Sequence, residues 1–69
     1  MTANMRLTEI WRVKTRQGQT ARAMLVPRGT ELSLTWFVND RLDGAEDFTD
    51  WAAALRRADA LRLTYLAAR

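Results

Sequence analysis

Four cationic side chains fall at positions that a β-hairpin would bring onto one side of a sheet. Arg12, Lys14 and Arg16 are spaced two apart, and Arg22 lies opposite Arg12 if Arg16 begins a three-residue turn. Side chains two apart on a strand point to the same face and lie roughly 7 Å from one another. That distance is comparable to the phosphate spacing of a nucleic-acid strand. The pattern predicts binding of a nucleic acid through phosphate contacts from the cations and a base or sugar contact from an aromatic ring, with the site residues Arg12, Lys14, Arg16, Arg22 and Phe37.

A second interpretation of these cations is that they keep the protein soluble. Charged side chains solvate the open side of a two-layer domain, and Arg or Lys on an edge strand prevents strand-to-strand association. Exposed apolar neighbours would favour a partner instead, because solvation does not explain an apolar patch. Ile10, Met24 and Phe37 are expected at such outward positions.

Residue types that supply catalysis and metal binding are scarce. The chain contains no Cys and no His. It therefore lacks thiol chemistry, disulfides, the commonest metal ligand and the usual general base near neutral pH. We expect a protein that is not an enzyme and that uses no cofactor and no metal. The carboxylates of residues 40–47 are explained by turns and helix capping, since the spacing and the closing Glu of a calcium loop are missing.

Length and composition indicate one small globular domain. The 69 residues are 48% hydrophobic and 28% charged, as expected of a folded protein. A domain of this size buries little surface, so a partner chain would add stability. No apolar run reaches the roughly 20 residues that span a bilayer, and residues 1–6 lack the apolar stretch of a secretory signal. We expect a cytoplasmic protein without membrane contact, and the Ala, Arg and Leu richness favours a bacterial or phage origin.

The net charge of +3 is unevenly distributed along the chain. Residues 1–39 hold six cations against two carboxylates, whereas residues 40–47 hold four carboxylates against one Arg. A basic sheet followed by an acidic connector suits an anionic partner at the sheet.

The elements that would position the cations are strands. After a frayed N-terminus at residues 1–4, alternating apolar and polar residues predict a strand over 5–15, a loop at 16–18 with Gly18 left-handed, and a second strand ending at Pro27. In this register Val13 lies opposite Ala21 and Trp11 opposite Ala23. A turn over 27–30 leads to a third strand over 31–38. A turn at residues 39–40 allows a short fourth strand over 41–45, with Asp43-Gly44 as a competing turn.

The helix follows the sheet and completes a single domain over residues 1–69. Asp47 is predicted as the N-cap of a helix over 47–67, after a sheet over 5–46. The predicted fold is α+β: a three- to four-stranded antiparallel sheet with one long C-terminal helix packed on one face. Trp11, Trp36 and Trp51 are expected to point inward. Two helix faces are apolar: Phe48, Trp51, Ala52 and Leu55 in the first half, and a seam through Ala54, Ala58, Leu61, Tyr65 and Ala68.

The end of the helix offers a route to self-association. Leu61 and Tyr65 would pack against the same residues of a second chain about a two-fold axis, which gives a homodimer. The alternative is a frayed terminus with scattered leucines. Both interpretations stay open.

Two functions fit these features. The first is a small non-enzymatic nucleic-acid-binding or regulatory protein that uses the basic outer face of the sheet. The second is a protein-binding adaptor or inhibitor module of phage or mobile-element origin, acting through the sheet face or the helix tail. Strong salt dependence of binding would favour the first.

Overall fold

The computed structural model describes residues 8–67. The chain forms four strands and one helix: β1 (Thr8–Lys14), β2 (Thr20–Arg28), β3 (Glu31–Val38), β4 (Arg41–Phe48) and α1 (Trp51–Ala67). The strands lie in the order β1-β2-β3-β4, each antiparallel to the next, and α1 packs against one face. The predicted α+β fold is confirmed, and the fourth strand is longer than predicted. The predicted frayed segment, residues 1–4, lies outside the described residues.

The first hairpin has the register that the side-chain alternation predicts. Trp11 lies opposite Ala23 and Val13 opposite Ala21. Gly18 closes the turn with a φ of 82°, a left-handed conformation that glycine adopts without steric cost. The Thr15 amide donates to the Gln19 carbonyl at 2.8 Å. From Trp11 to Lys14, β1 therefore presents alternate residues to opposite faces of the sheet, as expected.

The other two hairpins use two-residue turns. Residues 29–30 join β2 to β3, so β2 runs through Pro27 to Arg28 rather than ending at the proline. Asn39 and Asp40 join β3 to β4 with φ angles of 51° and 68°, as a primed turn requires. The Asn39 side-chain oxygen also accepts a bond from the Thr20 amide at 3.0 Å. Asp43-Gly44, the competing turn, lies within β4.

Each edge strand contains one extra residue. Ile10 is unpaired between the partners of Glu9 and Trp11, and Asp43 is unpaired between the partners of Leu42 and Gly44. Such bulges shift the alternation of side chains by one position. Ile10 consequently packs against the core beside Trp11, so the prediction that Ile10 points outward is wrong.

The helix begins later than predicted. Asp50 is its N-cap, since the Ala53 amide donates to the Asp50 carboxylate at 3.1 Å. Asp47 belongs to β4 and lies opposite Ser33, so the predicted cap at Asp47 and the helix start at residue 47 are wrong. The cause is the longer fourth strand, which keeps Phe48 paired with Leu32. Within residues 8–67, no helix has the length and apolar character needed to cross a membrane.

The core lies between α1 and the sheet. Its buried members are Ala23, Leu25, Leu32, Leu34, Trp36, Ala54, Ala58 and Leu61. Of the two predicted helix faces, the seam through Ala54, Ala58 and Leu61 is the buried one. Trp51 is 53% exposed and Leu55 43% exposed, so the prediction that Trp51 points inward is wrong. Small alanine side chains let the helix backbone approach the sheet closely, whereas the bulkier Trp51 and Leu55 lie on an exposed side of α1.

Two side chains tie α1 to opposite edges of the sheet. The Trp11 indole nitrogen donates to the Ala58 carbonyl at 2.8 Å, on the β1 side. The Tyr65 hydroxyl donates to the Asp43 carboxylate, on the β4 side. Burial, followed by the hydrogen bond and the negative charge of Asp43, raises the pKa of Tyr65 well above its usual value. The phenol is therefore held in its protonated form.

Trp36 fills the space between α1 and β4. A Cβ atom added to Gly44 would lie only 2.4–2.8 Å from three indole atoms of Trp36, so this position accepts no larger residue without rearrangement. The Arg57 guanidinium lies over the other side of the indole, 5.7 Å from its ring centre. Arg57 also donates to Glu46 at 2.9 Å, which holds the guanidinium in place.

Candidate nucleic-acid interface

The outer face is the side of the sheet opposite α1, and no described element packs on it. One row of register partners crosses this face from β1 to β4: Arg12, Arg22, Phe37 and Leu42. Neighbouring strands are about 4.8 Å apart, so the row spans roughly 14 Å. Three of the five predicted site residues therefore lie side by side across adjacent strands.

The other two predicted residues lie towards the β1–β2 turn. Lys14 pairs with Thr20 beyond the end of the row, and Arg16 is exposed within the turn. Neither forms an ion pair with another residue of the described chain. Their positive charges are thus fully available to an anion.

Two carboxylates interrupt the predicted basic surface. Glu9 contacts Arg12 at 2.9 Å and lies 3.8 Å from Arg22. Asp40 approaches Arg22 from the β3–β4 turn at 3.3 Å. The cations of the row are therefore partly neutralised within the chain, and the outer face is less positive than the sequence predicts.

Glu9 reaches this face because of the bulge at Ile10. Uninterrupted alternation from Arg12 would place Glu9 on the core side, whereas the extra residue brings it opposite Met24 on the outer face. A carboxylate assigned to the core side is itself a signal, since an ionised group is almost never buried without a partner. That signal indicates an irregularity in β1 near Glu9 but does not show where the extra residue lies.

Arg22 is the most constrained cation of the row. Its guanidinium lies over the Phe37 ring at 5.2 Å from the ring centre, a cation–π contact. Its side chain is 28% exposed, and its Nε atom is buried without a hydrogen-bond partner among the described residues. We call this pair, with Arg22 over Phe37 at the middle of the outer face, the platform.

The β4 side of the outer face exposes one large apolar side chain. Leu42 continues the row beyond Phe37 and is 63% exposed. A groove of about 560 Å³ adjoins it at the β3–β4 turn, lined by Gln19, Val38, Asn39, Arg41, Leu42 and Asp43. Phe37 and Leu42 therefore form a small apolar area beside the cations of β1 and β2, while Ser33, Thr35 and Asp47 keep the rest of the β3–β4 side polar.

The residues predicted for self-association are used inside the chain. Leu61 is buried in the core at 7% exposure, and Tyr65 packs against the core while its hydroxyl binds Asp43. Leu61 and Tyr65 therefore both make contacts within the chain, and a self-association seam built from them stays a prediction that would require Leu61 to leave the core. The large apolar residues that α1 does expose are Trp51, Leu55, Leu63 and Leu66.

The part of the chain that the structure describes has no group of three or more acidic side chains placed to hold a metal ion. Among residues 8–67, Tyr65 alone has a strongly raised pKa, and it lies on the helix side of the sheet, bound to Asp43. No known protein family, curated protein or solved structure matches this chain.

Proposed function

We propose that this chain is a small non-enzymatic nucleic-acid-binding protein that holds a single-stranded segment against its outer face. The observation that carries the proposal is the row of Arg12, Arg22 and Phe37 on a sheet face that no described element covers. Single strands bind to sheets in this way because unstacked bases lie on aromatic or guanidinium planes while nearby cations contact phosphates.

The cations divide into two roles. Lys14 and Arg16 are exposed and have no carboxylate partner among the described residues, so they are the primary phosphate contacts. Arg22 and Phe37 form the platform on which a base or sugar stacks. Arg12 lies between the two groups, on the path that the backbone of the strand would follow.

The carboxylates on the outer face are compatible with this function. Exposed ion pairs contribute only about 0–1 kcal/mol, so a phosphate replaces Glu9 or Asp40 as a partner at little cost. Until a ligand arrives, Glu9 and Asp40 hold the guanidinium groups of Arg12 and Arg22 in ion pairs. These carboxylates also compete with phosphates for the guanidinium groups and so weaken binding. Removal of one carboxylate should therefore strengthen binding.

The first experiment is a salt titration with a labelled single-stranded oligonucleotide, followed by fluorescence anisotropy. We expect affinity to fall as salt rises, and Lys14→Ala or Arg16→Ala to weaken binding and reduce the slope of log K against log salt by about 0.7 each. Arg56→Ala is the matched control, because it removes the same charge from the exposed side of α1. Absence of binding at low salt, or an equal loss for Arg56→Ala, contradicts the proposal.

The second experiment uses a substitution that should strengthen binding rather than weaken it. Glu9→Gln removes the carboxylate that competes for Arg12 and Arg22, so we expect tighter binding of the same oligonucleotide. Glu31→Gln changes the net charge equally but lies at the far end of β3, and it should have a smaller effect. A duplex of the same sequence, measured in parallel, should bind more weakly than the single strand. Equal affinities for the single strand and the duplex would contradict base stacking on Arg22 and Phe37.

A second candidate function is a protein-binding adaptor or inhibitor, and the exposure of Leu42 favours it. Leu42 lies beside Phe37 and is 63% exposed, which solvation of the sheet does not explain. Leu42→Ser separates the two functions. Under the nucleic-acid proposal this variant keeps its oligonucleotide affinity. Capture of one protein from a nuclease-treated lysate by the wild type, lost in Leu42→Ser, would support the adaptor instead.

A further inference from the structure

One flank of α1 exposes apolar residues that the sheet does not use. Trp51 is 53% exposed, Leu55 43% and Leu66 38%. At 100° per residue these three fall within about 60° of arc, beside the buried seam rather than on it. Between the leucines lie Arg62, within this arc, and Asp59, about 20° beyond it, and the two form an ion pair at 2.9 Å. We call this set of five residues the helix flank.

Four of the five residues of the helix flank, all except Trp51, are arranged symmetrically along the helix. Leu55 and Leu66 are equally distant from the middle of the segment, and so are Asp59 and Arg62. Their spacings of four, three and four residues match the inward positions of a two-stranded coiled coil. If a second α1 lies antiparallel about a two-fold axis, Leu55 meets Leu66 of the second copy and Asp59 meets Arg62.

We infer that the helix flank binds a second copy of this chain, with the two α1 helices antiparallel. The charges select this arrangement, since a parallel pair would place Asp59 beside Asp59 and Arg62 beside Arg62. An antiparallel pair turns two ion pairs within chains into two ion pairs between chains, bordered by leucine contacts on both sides. An interface in which the same patch serves both copies is the commonest form of protein dimer.

The dimer is expected to be weak and dependent on concentration. The helix flank is small, and its centre consists of exposed ion pairs that contribute little. This surface lies on α1 and is separate from the outer face of the sheet. Dimerisation therefore goes beyond the proposed nucleic-acid function and does not depend on it.

The test measures molar mass by sedimentation equilibrium over a range of protein concentrations, without nucleic acid. The wild type should approach twice the 7.9 kDa of one chain as concentration rises. Asp59→Arg alone and Arg62→Asp alone should remain monomeric, because each places like charges against one another. An equimolar mixture of these two variants should recover the dimer, as should the double variant. Circular dichroism confirms that each variant is folded.

A crosslinking measurement fixes the orientation. The chain has no native Cys, so Leu55→Cys with Leu66→Cys should form disulfide-linked dimers on mild oxidation. Leu55→Cys alone should not, because an antiparallel pair separates the two copies of residue 55 by about 16 Å along the helix. A wild type that stays monomeric at all concentrations, single variants that still dimerise, or a mixture that stays monomeric would each overturn the inference.

Discussion

The Tyr65 hydroxyl joins the only helix of the described chain to an edge strand. It donates to the Asp43 carboxylate, while the ring packs 6.2 Å from the centre of the Trp11 ring. Burial is the main cause of the raised pKa of Tyr65, because a phenolate in this position would lose hydration, and the neighbouring carboxylate adds to the shift. The folded state therefore binds the phenolic proton more tightly than the unfolded chain does.

This difference predicts a loss of stability at alkaline pH. Tyrosine ionises near pH 10 in an unfolded chain, so the stabilisation by the neutral phenol is complete below about pH 10 and is lost as pH rises above it. The free energy of unfolding should fall with a slope approaching about one proton per molecule. Urea denaturation between neutral and alkaline pH measures this slope.

Tyr65→Phe provides the control for the pH dependence. The variant keeps the ring but has no group to ionise, so the slope that Tyr65 contributes should disappear. Identical slopes for the two proteins would show that Tyr65 does not carry the effect.

The strands show where sequence reasoning succeeds. Alternation of side chains, together with Gly18, was sufficient to predict the register of β1 against β2, because a shift of one residue would bury Arg22. The bulge at Ile10 was not predicted, since an extra residue changes neither the composition nor the turn. Its effect was large: it brings Glu9 into contact with the cations of the proposed site.

The helix shows why its buried face and its N-cap were harder to predict from the sequence. Two apolar faces were present in the sequence, and hydrophobicity alone favours the one with Trp51 and Leu55. The buried face contains Ala54 and Ala58 instead, because close approach of helix and sheet depends on side-chain volume. The N-cap was equally ambiguous, since Asp47 and Asp50 both satisfy the capping preference.

Substitution of the two candidate caps distinguishes them. Asp50→Ala removes the acceptor of the Ala53 amide at the start of α1, and we expect it to lower the free energy of unfolding by about 1 kcal/mol. Asp47→Ala removes an exposed carboxylate from β4 and should change stability by less than about 0.5 kcal/mol. Thermal or urea denaturation reports both values. A larger loss of stability for Asp47→Ala than for Asp50→Ala would support a helix that begins at residue 47.

The molecule as a whole depends on a small core. The largest side chains that are fully buried are Leu25 and Leu34, and four of the buried positions are alanines. At about 0.05–0.15 kcal/mol per residue, a chain of this length is stabilised by roughly 3–10 kcal/mol. Single contacts at the centre of the sheet therefore account for a large share of the total.

Leu34→Ala tests this dependence. Truncation of a fully buried leucine costs about 2–5 kcal/mol, which approaches the whole stability of the domain. We expect the urea midpoint to fall sharply and the unfolded state to be populated without denaturant. Leu63→Ala makes the same chemical change at a position on α1 that is 54% exposed, and it should leave the midpoint nearly unchanged. Equal effects would indicate that Leu34 is not central to the core.

The bulges at Ile10 and Asp43 have a consequence for solubility. They lie in β1 and β4, the two outermost strands, each of which pairs on one side only within the described chain. A straight outer strand offers a regular row of amides and carbonyls that recruits other chains into fibrils, and a bulge breaks that row. With both rims of the sheet irregular, neither outer strand of the described chain offers the regular row of amides and carbonyls that a growing fibril extends.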